Sequence, residues 1–547
     1  MEPTMFGPTK RQWILAAVLC VLMALTALPA RAALDPALVQ ALGGDFNARV
    51  AAIDALGVAG GDEAAALLDA LEGGRLGTVD GRLVVIGPEG LRDAASGEAI
   101  AAEAGAATRI TVNNRLRRAI GTARAALALS SAQPAQRLAA ADTLRENASP
   151  ALLPVLARAL EAEQDDAVRA VLLYATAKLE LASPNPALRL KAAQALGGSS
   201  DAAVKNLLAA LLEKRGEGAA ATWVEADAEV RAAAAASMRA IDRRIGLAQT
   251  AGTLFSGLSL GSILLLAALG LAITYGVMGV INMAHGELLM VGAYATFVVQ
   301  GVFRSHFPEY LDLYVLAAIP AAFLAAALVG IVMERLVLRH LYGRPLESLL
   351  ATWGLSLVLI QAARVLFGPQ NLELANPSWM SGGVELAGGV VLPYNRIVIL
   401  GFAAFVLVLI WLMMQKTRLG MFVRAVTQNR PMAGCVGVPT ARVDTLAFAI
   451  GSGVAGLGGL ALSQIANVGP AMGTGYIVDA FMVVVLGGVG QLAGAVWAAL
   501  GLGIFAKFLE GWAGAVVAKI LVLVFIIAFI QKRPQGIFAL KGRFADS

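Results

Sequence analysis

The feature that most constrains this chain is a series of long stretches without a charged residue in its second half. Strictly between charged residues, 42 positions separate Arg244 from Glu287 and 34 separate Asp444 from Asp479, with further stretches of 16 to 27. These lengths suit helices that cross an apolar bilayer core about 30 Å thick, because a helix satisfies its own backbone where water is absent. The sequence therefore predicts an all-α chain whose residues 250–543 form a polytopic membrane bundle with about eight to nine spans and broken helices.

The composition agrees with a membrane protein and excludes several other classes. Hydrophobic residues make up 58% of the 547 residues and charged residues 15%, and the mean hydropathy is +0.71, too apolar for a soluble globular protein. The net charge of +5 gives no reason to propose nucleic acid as a partner. Cys20 and Cys435 are the two cysteines, so neither a disulfide framework nor a cysteine metal site is expected, and no cofactor is predicted.

The first residues have the pattern of an export signal. Lys10 and Arg11 precede an apolar stretch from Trp13 to Leu28, and Ala30-Arg31-Ala32 follows as an A-x-A site. We predict a signal peptide over residues 1–32 with cleavage after Ala32. The alternative, an uncleaved anchor, fits less well because the stretch is shorter than the roughly 20 residues that a spanning helix needs. Both alternatives place residues 33–245 outside the cytoplasm.

Residues 33–245 are rich in Ala and Leu but charged throughout, and several segments resemble one another. The recurring unit is Arg followed by small and apolar residues, at 32 residues' spacing in one case and 42 in another, which resembles degenerate HEAT-type α-solenoid repeats. An insert around Asp80-Gly81 with β-branched neighbours predicts a short hairpin at 78–86. No His and no nucleophile constellation precedes residue 250, so we expect a scaffold or docking domain. The recurring arginines are Arg137, Arg169, Arg189 and Arg231, with a related copy at Arg49.

The basic residues of the second half predict its topology. Arg335 to Arg344, Lys416 to Arg442 and Lys532 to Arg543 concentrate Lys and Arg, so the positive-inside rule places these loops and the C-terminus in the cytoplasm. The connection 368–395 has no Lys or Arg and is predicted to be external. An external start and a cytoplasmic end require 476–508 to cross twice or to fold as two half-elements, with the reversal at Gly487-Gly488-Val489-Gly490.

Two clusters of polar residues interrupt the apolar stretches. Both clusters lie beside Gly or Pro, as expected for broken helices whose free backbone groups line a cavity. Polar groups in apolar spans are costly and suggest a substrate pathway, although hydrogen bonding of a kinked helix is an equally weighted alternative for Asn282, His285 and Glu287. The candidate pathway residues are Thr274, Tyr275, Asn282, His285 and Glu287 in the first cluster and Gln464, Asn467 and Asp479 in the second.

The basic segment 416–438 is amphipathic, with apolar residues such as Met421 and Phe422 between its charges. Such a segment can dock in a partner's groove as a short helix, and the alternative is a solvated loop that only sets topology. The chain has no G-x-x-x-x-G-K-[ST] motif, so a Walker A loop is absent from it. Energy for any active transport would come from a partner.

Four segments together resemble the branched-chain amino acid family of ABC importer permeases. They are Ile281-Asn282-Met283-Ala284-His285-Gly286-Glu287-Leu288, the loop Gly420 to Gly437, Val483 to Gly494, and Lys532-Arg533-Pro534-Gln535-Gly536-Ile537-Phe538. The resemblance implies a second homologous permease, two cytoplasmic ATPases and a periplasmic solute-binding protein as partners in the inner membrane. It also implies an ATPase-coupling role for Arg418, Gly420, Met421, Arg424, Ala425, Asn429, Ala433 and Gly437.

Within that family, the segments beginning at Thr427, Gln464 and Gln531 resemble the urea permease branch. One departure is Ala471-Met472, where that branch would have an acidic residue after Gly469-Pro470. The prediction is a permease for urea or a similar small amide, and the alternatives are a branched-chain amino acid permease, an ion-coupled secondary transporter using Glu287 or Asp479, and a passive urea channel. Hydrolysis of urea is disfavoured, because the three His residues have no ligand-spaced partners for a metal.

Overall fold

The fold is taken from a computed structural model, which describes residues 34–88, 90–101, 107–216, 222–386, 389–488 and 490–538. The predicted signal peptide lies outside the described residues. The chain divides into two compact units, Met1–Asp242 and Arg243–Ser547. The division falls inside one long helix, Ala228–Met278. It lies close to the predicted boundary at residues 245–250.

The N-terminal unit consists of helices and a small sheet. Asp and Asn side chains cap several of the helices by accepting a backbone N–H of the first turn, as at Asp45 and Asp165. The helices are α1 Pro36–Ala41, α2 Phe46–Ala59, α3 Gly61–Glu72, α4 Asn114–Ala128, α5 Pro134–Asn147, α6 Leu153–Ala162, α7 Asp166–Leu181, α8 Pro186–Leu196 and α9 Ala202–Leu211. A 3₁₀ turn, Pro150–Leu152, precedes α6.

The sheet contains the predicted hairpin but is larger than expected. Asp80 and Gly81 both have positive φ, as a two-residue hairpin turn requires, and Val79 pairs with Arg82. Five antiparallel strands lie in the order β4-β3-β2-β1-β5, so the all-α prediction is corrected here. The additional strands β3 to β5 have only two to four residues, too few for a recognisable alternation of apolar and polar residues. The strands are β1 Leu76–Val79, β2 Arg82–Gly87, β3 Gly90–Asp93, β4 Ala99–Ile100 and β5 Thr108–Arg109.

Two of the recurring arginines form the same ion clamp. Arg137 donates Nε and Nη2 to Glu163 over 2.8 Å each, and its Nη1 donates to the Ser131 carbonyl. Arg189 does the same with Glu225, over 2.8 and 2.9 Å. Each bidentate pair fixes a loop between two helices. At these two positions, the recurring arginine therefore serves to form an ion clamp. The assignment to HEAT repeats stays a prediction.

The second copy of the clamp contains an inserted hairpin. Clamp partners are 26 residues apart in the first copy and 36 in the second. The strands β6 Lys214–Arg215 and β7 Thr222–Trp223 pair within the second copy and span the ten additional positions. The irregular spacing of the arginines therefore reflects this hairpin. The Trp223 ring contacts two cations, with its centre 4.5 Å from Lys214 Nζ and 5.4 Å from the Arg231 guanidinium carbon.

The second unit is the membrane unit. Eight helices among the described residues are long and apolar enough to cross a membrane, in agreement with the predicted number. The predicted reversal is also present, because one helix ends at Gly487 and the next begins at Leu492. The helices are α10 Ala228–Met278, α11 His285–His306, α12 Tyr314–Leu336, α13 Pro345–Phe367, α14 Tyr394–Lys416, α15 Arg418–Gln428, α16 Arg430–Cys435, α17 Thr440–Ser463, α18 Met472–Gly487, α19 Leu492–Ala513 and α20 Ala515–Lys532. Shorter elements are the 3₁₀ turns Pro308–Leu313, Leu338–His340 and Ser378–Met380 and the strand pair β8 Gly383–Glu385 and β9 Val391–Pro393.

Helix α17 lies at the centre of the membrane unit, and most of its residues are buried. It packs through glycines, since a β-carbon at Gly451 would lie 2.7 Å from the Gly270 carbonyl oxygen of α10. A β-carbon at Gly292 of α11 would overlap the backbone of Gly456. Small residues let helix backbones approach closely, which drives association where lipid removes the hydrophobic effect between helices.

Candidate functional site

The first helix break separates α10 from α11 at residues 279–284. Gly279 has φ of +63°, and α13 supplies the polar group that the unwound backbone needs: Met283 N–H donates to Thr352 Oγ1 over 3.1 Å. Asn282 Oδ1 accepts from the Ala284 N–H over 3.0 Å. Non-helical backbone at membrane depth persists where protein groups satisfy it in this way.

His285 begins α11 and is fully buried. Its Nε2 lies 3.0 Å from the carbonyl oxygen of Ala267. Because a carbonyl only accepts, Nε2 carries the hydrogen and Nδ1 is left as an acceptor in the neutral ring. Within the described residues, Nδ1 has no hydrogen-bond partner.

Glu287 lies in the first turn of α11, where the helix dipole favours a negative charge. Its Oε1 accepts from Ser356 Oγ over 2.9 Å and from Thr474 Oγ1 over 3.5 Å. Its buried Oε2 has no partner in the part of the chain that the structure describes, and Asn282 Nδ2 is in the same condition. Three polar atoms within six residues are therefore buried with no partner among the residues that the structure describes.

The second break separates α17 from α18 at residues 464–471. Gln464 is held on both sides, because its Oε1 accepts from Tyr314 O–H over 3.1 Å and its carbonyl accepts from Asn395 Nδ2 over 3.2 Å. Val468 forms an antiparallel bridge with Leu372, with N–H···O distances of 2.7 and 2.8 Å. The connection between α13 and α14 is therefore fastened to this break.

The N-terminal turns of α11 and α18 meet at two glycines. A β-carbon on Gly286 would overlap the carbonyl oxygen of Gly473, and the reverse is also true. The Glu287 carboxylate lies beside this contact, 2.7 Å from the position of a β-carbon on Gly473. Two positive helix ends thus converge on one carboxylate. Thr474, which lies between Asn467 and Asp479 in the sequence and was not among the predicted pathway residues, contacts Glu287 of the first cluster.

Four other predicted pathway residues lie in different surroundings. Thr274 donates to the Leu271 carbonyl of its own helix over 3.1 Å and is buried, and Tyr275 is half-buried. The Asn467 side chain is exposed. Asp479 pairs with Lys519 of α20 at 3.7 Å. A role of these four residues in the solute pathway therefore stays a prediction.

Sequence reasoning missed Thr352 and Ser356 of α13, which contact the first break and Glu287. A signal was available, because two hydroxyl residues four positions apart lie on one face of a largely apolar span. Tyr314 was missed as well, since its contact with Gln464 joins residues 150 positions apart.

The segment predicted to couple to a partner forms two short helices, α15 and α16. Thr417 caps α15 and Asn429 caps α16 through their side-chain oxygens. Gly420 fits under the Met414 carbonyl, where a β-carbon would overlap it, and Arg424 donates to the same carbonyl. Among the other predicted residues, Ala433 is buried, Ala425 is half-buried, Arg418 and Met421 are exposed, and exposed Gly437 has φ of +86°.

Comparisons with known proteins match the membrane unit. A family model described as "Branched-chain amino acid transport system / permease component" matches residues 253–530. The high-affinity branched-chain amino acid transport system permease protein BraD of Pseudomonas aeruginosa is 30% identical over 290 residues, covering 52% of this chain and 94% of BraD. The corresponding permease protein LivH of Escherichia coli is 29% identical over 290 residues, with the same coverage.

A more distant relative has a different solute in its name. The ribose import permease protein RbsC of Escherichia coli is 27% identical over 266 residues, covering 46% of this chain and 76% of RbsC. No solved structure matches this chain.

Proposed function

Because this chain belongs to the family of permease components of branched-chain amino acid transport systems, we propose that it is the permease subunit of an ATP-driven importer in the inner membrane. The observation that carries the proposal is the convergence of two broken helices on Glu287, whose buried Oε2 has no hydrogen-bond partner among the described residues. In secondary transporters, such discontinuous helices form the solute site, and we infer the same arrangement for this importer. ATP hydrolysis falls to partner subunits, and the chain itself is not an enzyme.

The segment α15–α16 supports docking to an ATPase. Its inner side, with Val423 and Val426, is buried, whereas Met421, Met432 and Val436 are 52 to 70% exposed. Exposed apolar residues between basic ones fit a groove in a partner. The proposed assembly contains a second homologous permease, two ATPases and a solute-binding protein, and the N-terminal unit is a docking or stabilising domain on the periplasmic side.

Urea is the first proposed solute. Urea has one carbonyl acceptor and four N–H donors, so it needs few donors and several acceptors around it. Among the buried polar atoms of the first break, Asn282 Nδ2 is a donor of the kind that the carbonyl needs, and His285 Nδ1 and Glu287 Oε2 are acceptors of the kind that the amides need. A neutral solute requires no ion pair. The sequence resemblance of the segments beginning at Thr427, Gln464 and Gln531 to the urea branch supports the same choice.

Branched-chain amino acids are the second candidate, and the names of BraD and LivH favour them. The departure at Ala471-Met472 from the urea branch also favours this candidate. A leucine side chain would need an apolar surface beside the break, and its carboxylate would need the backbone N–H groups of a helix N-terminus. The name of RbsC shows that relatives in this similarity range include a permease for another solute.

In the proposed mechanism, ATP-driven closure of the ATPases displaces α15–α16 and rocks the bundle between outward- and inward-open states. The solute passes the two breaks and is held weakly there, so that affinity resides in the binding protein. Because the site contains both donors and acceptors, it can replace the hydration of a small polar solute without trapping it.

The test is uptake of labelled urea and labelled leucine in a strain that lacks this chain and in the complemented strain. ATP-dependent rescue of urea uptake supports the first candidate, and rescue of leucine alone supports the second. Loss of uptake with an uncoupler while ATP is maintained would indicate an ion-coupled transporter, and equilibration without ATP would indicate a channel. Either result would overturn the proposal.

The proposed orientation has a separate test. Cys435 lies in α16 and is exposed, so a membrane-impermeant maleimide should label it in inside-out vesicles and not in intact spheroplasts. The experiment uses a Cys20→Ser background, so that a single thiol remains. Labelling from the periplasm would contradict the orientation. Protection of Cys435 by the bound ATPases would support docking at α15–α16.

A further inference from the structure

An ion pair between half-buried Arg430 and buried Asp444 joins the proposed ATPase-docking segment to the central helix of the bundle. Arg430, the first residue of α16, contacts both carboxylate oxygens of Asp444 in the first turns of α17, and the Nη1–Oδ1 distance is 3.2 Å. Asp444 is 2% exposed. The guanidinium carbon also lies 4.1 Å from the centre of the Tyr342 ring, which belongs to the connection between α12 and α13.

Stability alone gives little reason for this arrangement. Because the Asp444 carboxylate loses its hydration on burial, such an ion pair is often no more stabilising than a well-packed apolar pair. What a bidentate guanidinium–carboxylate contact adds is a fixed mutual orientation. The Tyr342 ring adds a cation–π contact to the guanidinium group of Arg430. Three segments therefore meet at one joint whose geometry is specified by direction as well as by distance.

Beyond the joint, α17 reaches both helix breaks. Its last residue, Ser463, leads directly into the second break. Along its length Gly451 contacts Gly270, next to the His285 ring, and Gly459 packs against the carbonyl of Leu289 in α11. Near the joint, Thr445 Oγ1 donates to the buried Glu334 of α12 over 2.8 Å. A close-packed helix of this kind transmits a displacement because its contacts cannot be compressed.

We propose that Arg430, Asp444 and Tyr342 are positioning residues that transmit movement of the ATPase-docking segment to α17, and through α17 to the two breaks. This proposal rests on the proposed importer function. The joint stays closed during transport, and it converts a displacement of α16 into a displacement of α17 as one body. The three residues act through other residues and do not contact the solute.

The test uses the reconstituted complex of this chain with its second permease, its ATPases and its solute-loaded binding protein in proteoliposomes. The variants are Asp444→Asn, Arg430→Gln and the exchange Arg430→Asp with Asp444→Arg. The matched control is Arg442→Gln, which removes an exposed positive charge two positions from Asp444. The readouts are complex assembly, ATP hydrolysis and solute imported per ATP hydrolysed.

We expect both single variants to assemble and to hydrolyse ATP, while solute imported per ATP falls at least about tenfold, as for loss of a typical coupling free energy. The exchange of charges should restore much of that ratio, and the control should keep it. Tyr342→Phe keeps the ring and should behave as the wild type, whereas Tyr342→Ala should lower the ratio.

An unchanged ratio in Asp444→Asn and Arg430→Gln would overturn the proposal. So would a parallel loss of ATP hydrolysis and transport, because that result indicates weakened docking of the ATPases. If the single variants fail to fold, Tyr342→Ala and the charge exchange decide the question by the same ratio. A wild-type complex that imports no solute would instead refute the proposed function, independently of the joint.

Discussion

The two units differ most clearly in how each one uses a buried glutamate. Glu163 of the N-terminal unit has partners on both oxygens, since Arg137 contacts both and two backbone N–H groups donate to Oε1. Glu287 of the membrane unit has hydroxyl partners on Oε1, and its Oε2 has none among the described residues. A saturated carboxylate stabilises a fold, whereas a carboxylate with a free buried oxygen retains capacity for a ligand.

The two units also differ in the residues through which their helices pack. In the N-terminal unit, Leu and Ala side chains form the core and ion clamps fix the loops. In the membrane unit, backbones meet at glycines such as Gly286 and Gly473. Water drives burial of large apolar side chains, but lipid does not. We therefore expect glycine substitutions to be most harmful in the membrane unit and charge substitutions to be most harmful in the N-terminal unit.

The largest effect is expected for Gly292→Ala. The new β-carbon would overlap the backbone of Gly456, so α11 and α17 would have to separate, at a cost above about 3 kcal/mol. We expect little monodisperse protein in fluorescence-detected size-exclusion chromatography. Gly401→Ala in α14 is the matched control, because the described structure has no atom within 4 Å of its β-carbon position. Equal yields of the two variants would show that glycine contacts do not organise this unit.

The next effect concerns Glu287→Gln. The substitution keeps the size of the side chain and removes its charge, so we expect an assembled complex whose solute uptake falls about tenfold. Uptake by the reconstituted complex measures this effect. Glu309→Gln, an exposed carboxylate of the membrane unit, serves as the control. Wild-type uptake combined with lower thermal stability in Glu287→Gln would assign the carboxylate a purely structural role.

For Glu163→Gln we expect lower stability of the N-terminal unit. A hydrogen bond to a charged group contributes about 1.5–3 kcal/mol, and the variant loses the charge that Arg137 requires. Scanning calorimetry of the full chain in nanodiscs measures the change. An unaltered transition of the N-terminal unit would contradict the importance of the clamp.

The same clamp predicts an acid dependence. Hydrogen bonds from Arg137 lower the pKa of Glu163 from 4.5 to about 2. The folded state therefore binds fewer protons than the unfolded state, and the stabilisation is complete above pH 4.5 and lost as the pH falls toward 2. Glu163→Gln should lack this component in calorimetric scans between pH 7 and pH 3. If the variant kept the full acid dependence of the wild type, groups other than Glu163 would be responsible for that dependence.

The smallest effect is expected for deletion of residues 214–223 with Glu213 joined to Val224. The deletion gives the second clamp the 26-residue spacing of the first. We expect Arg189 and Glu225 to pair as before, with a change in stability below about 1 kcal/mol, since surface insertions change the loop-closure entropy little. Limited proteolysis of the full chain would detect misfolding, which would mean that the hairpin is part of the core.

Several features of the membrane unit were predictable because lipid leaves few alternatives. Charge-free stretches gave the number of spans, and Gly487-Gly488 marked the reversal before α19. The residues around Asn282 and Gln464 marked both breaks, because Gly and Pro accompany polar residues there. In the N-terminal unit, the hairpin turn was predictable because Asp80-Gly81 is a pair that adopts the positive φ angles of a two-residue turn.

Contacts between distant segments were not predictable. The recurring Arg137 and Arg189 were visible in the sequence, but their acidic partners were not, since Glu163 and Glu225 carry no distinguishing pattern. The pairing of Arg430 with Asp444 depends on how α16 packs against α17. The convergence of Gly286 and Gly473 depends on packing of the whole bundle, and two isolated glycines give no signal of it.

The bridge between Leu372 and Val468 consists of main-chain atoms alone. Side-chain substitutions at either residue leave its donors and acceptors in place, and only proline would remove a donor. The connection between α13 and α14 is therefore free to diversify in sequence while it stays attached to the bundle. Substitutions on its surface need no compensating change at the break.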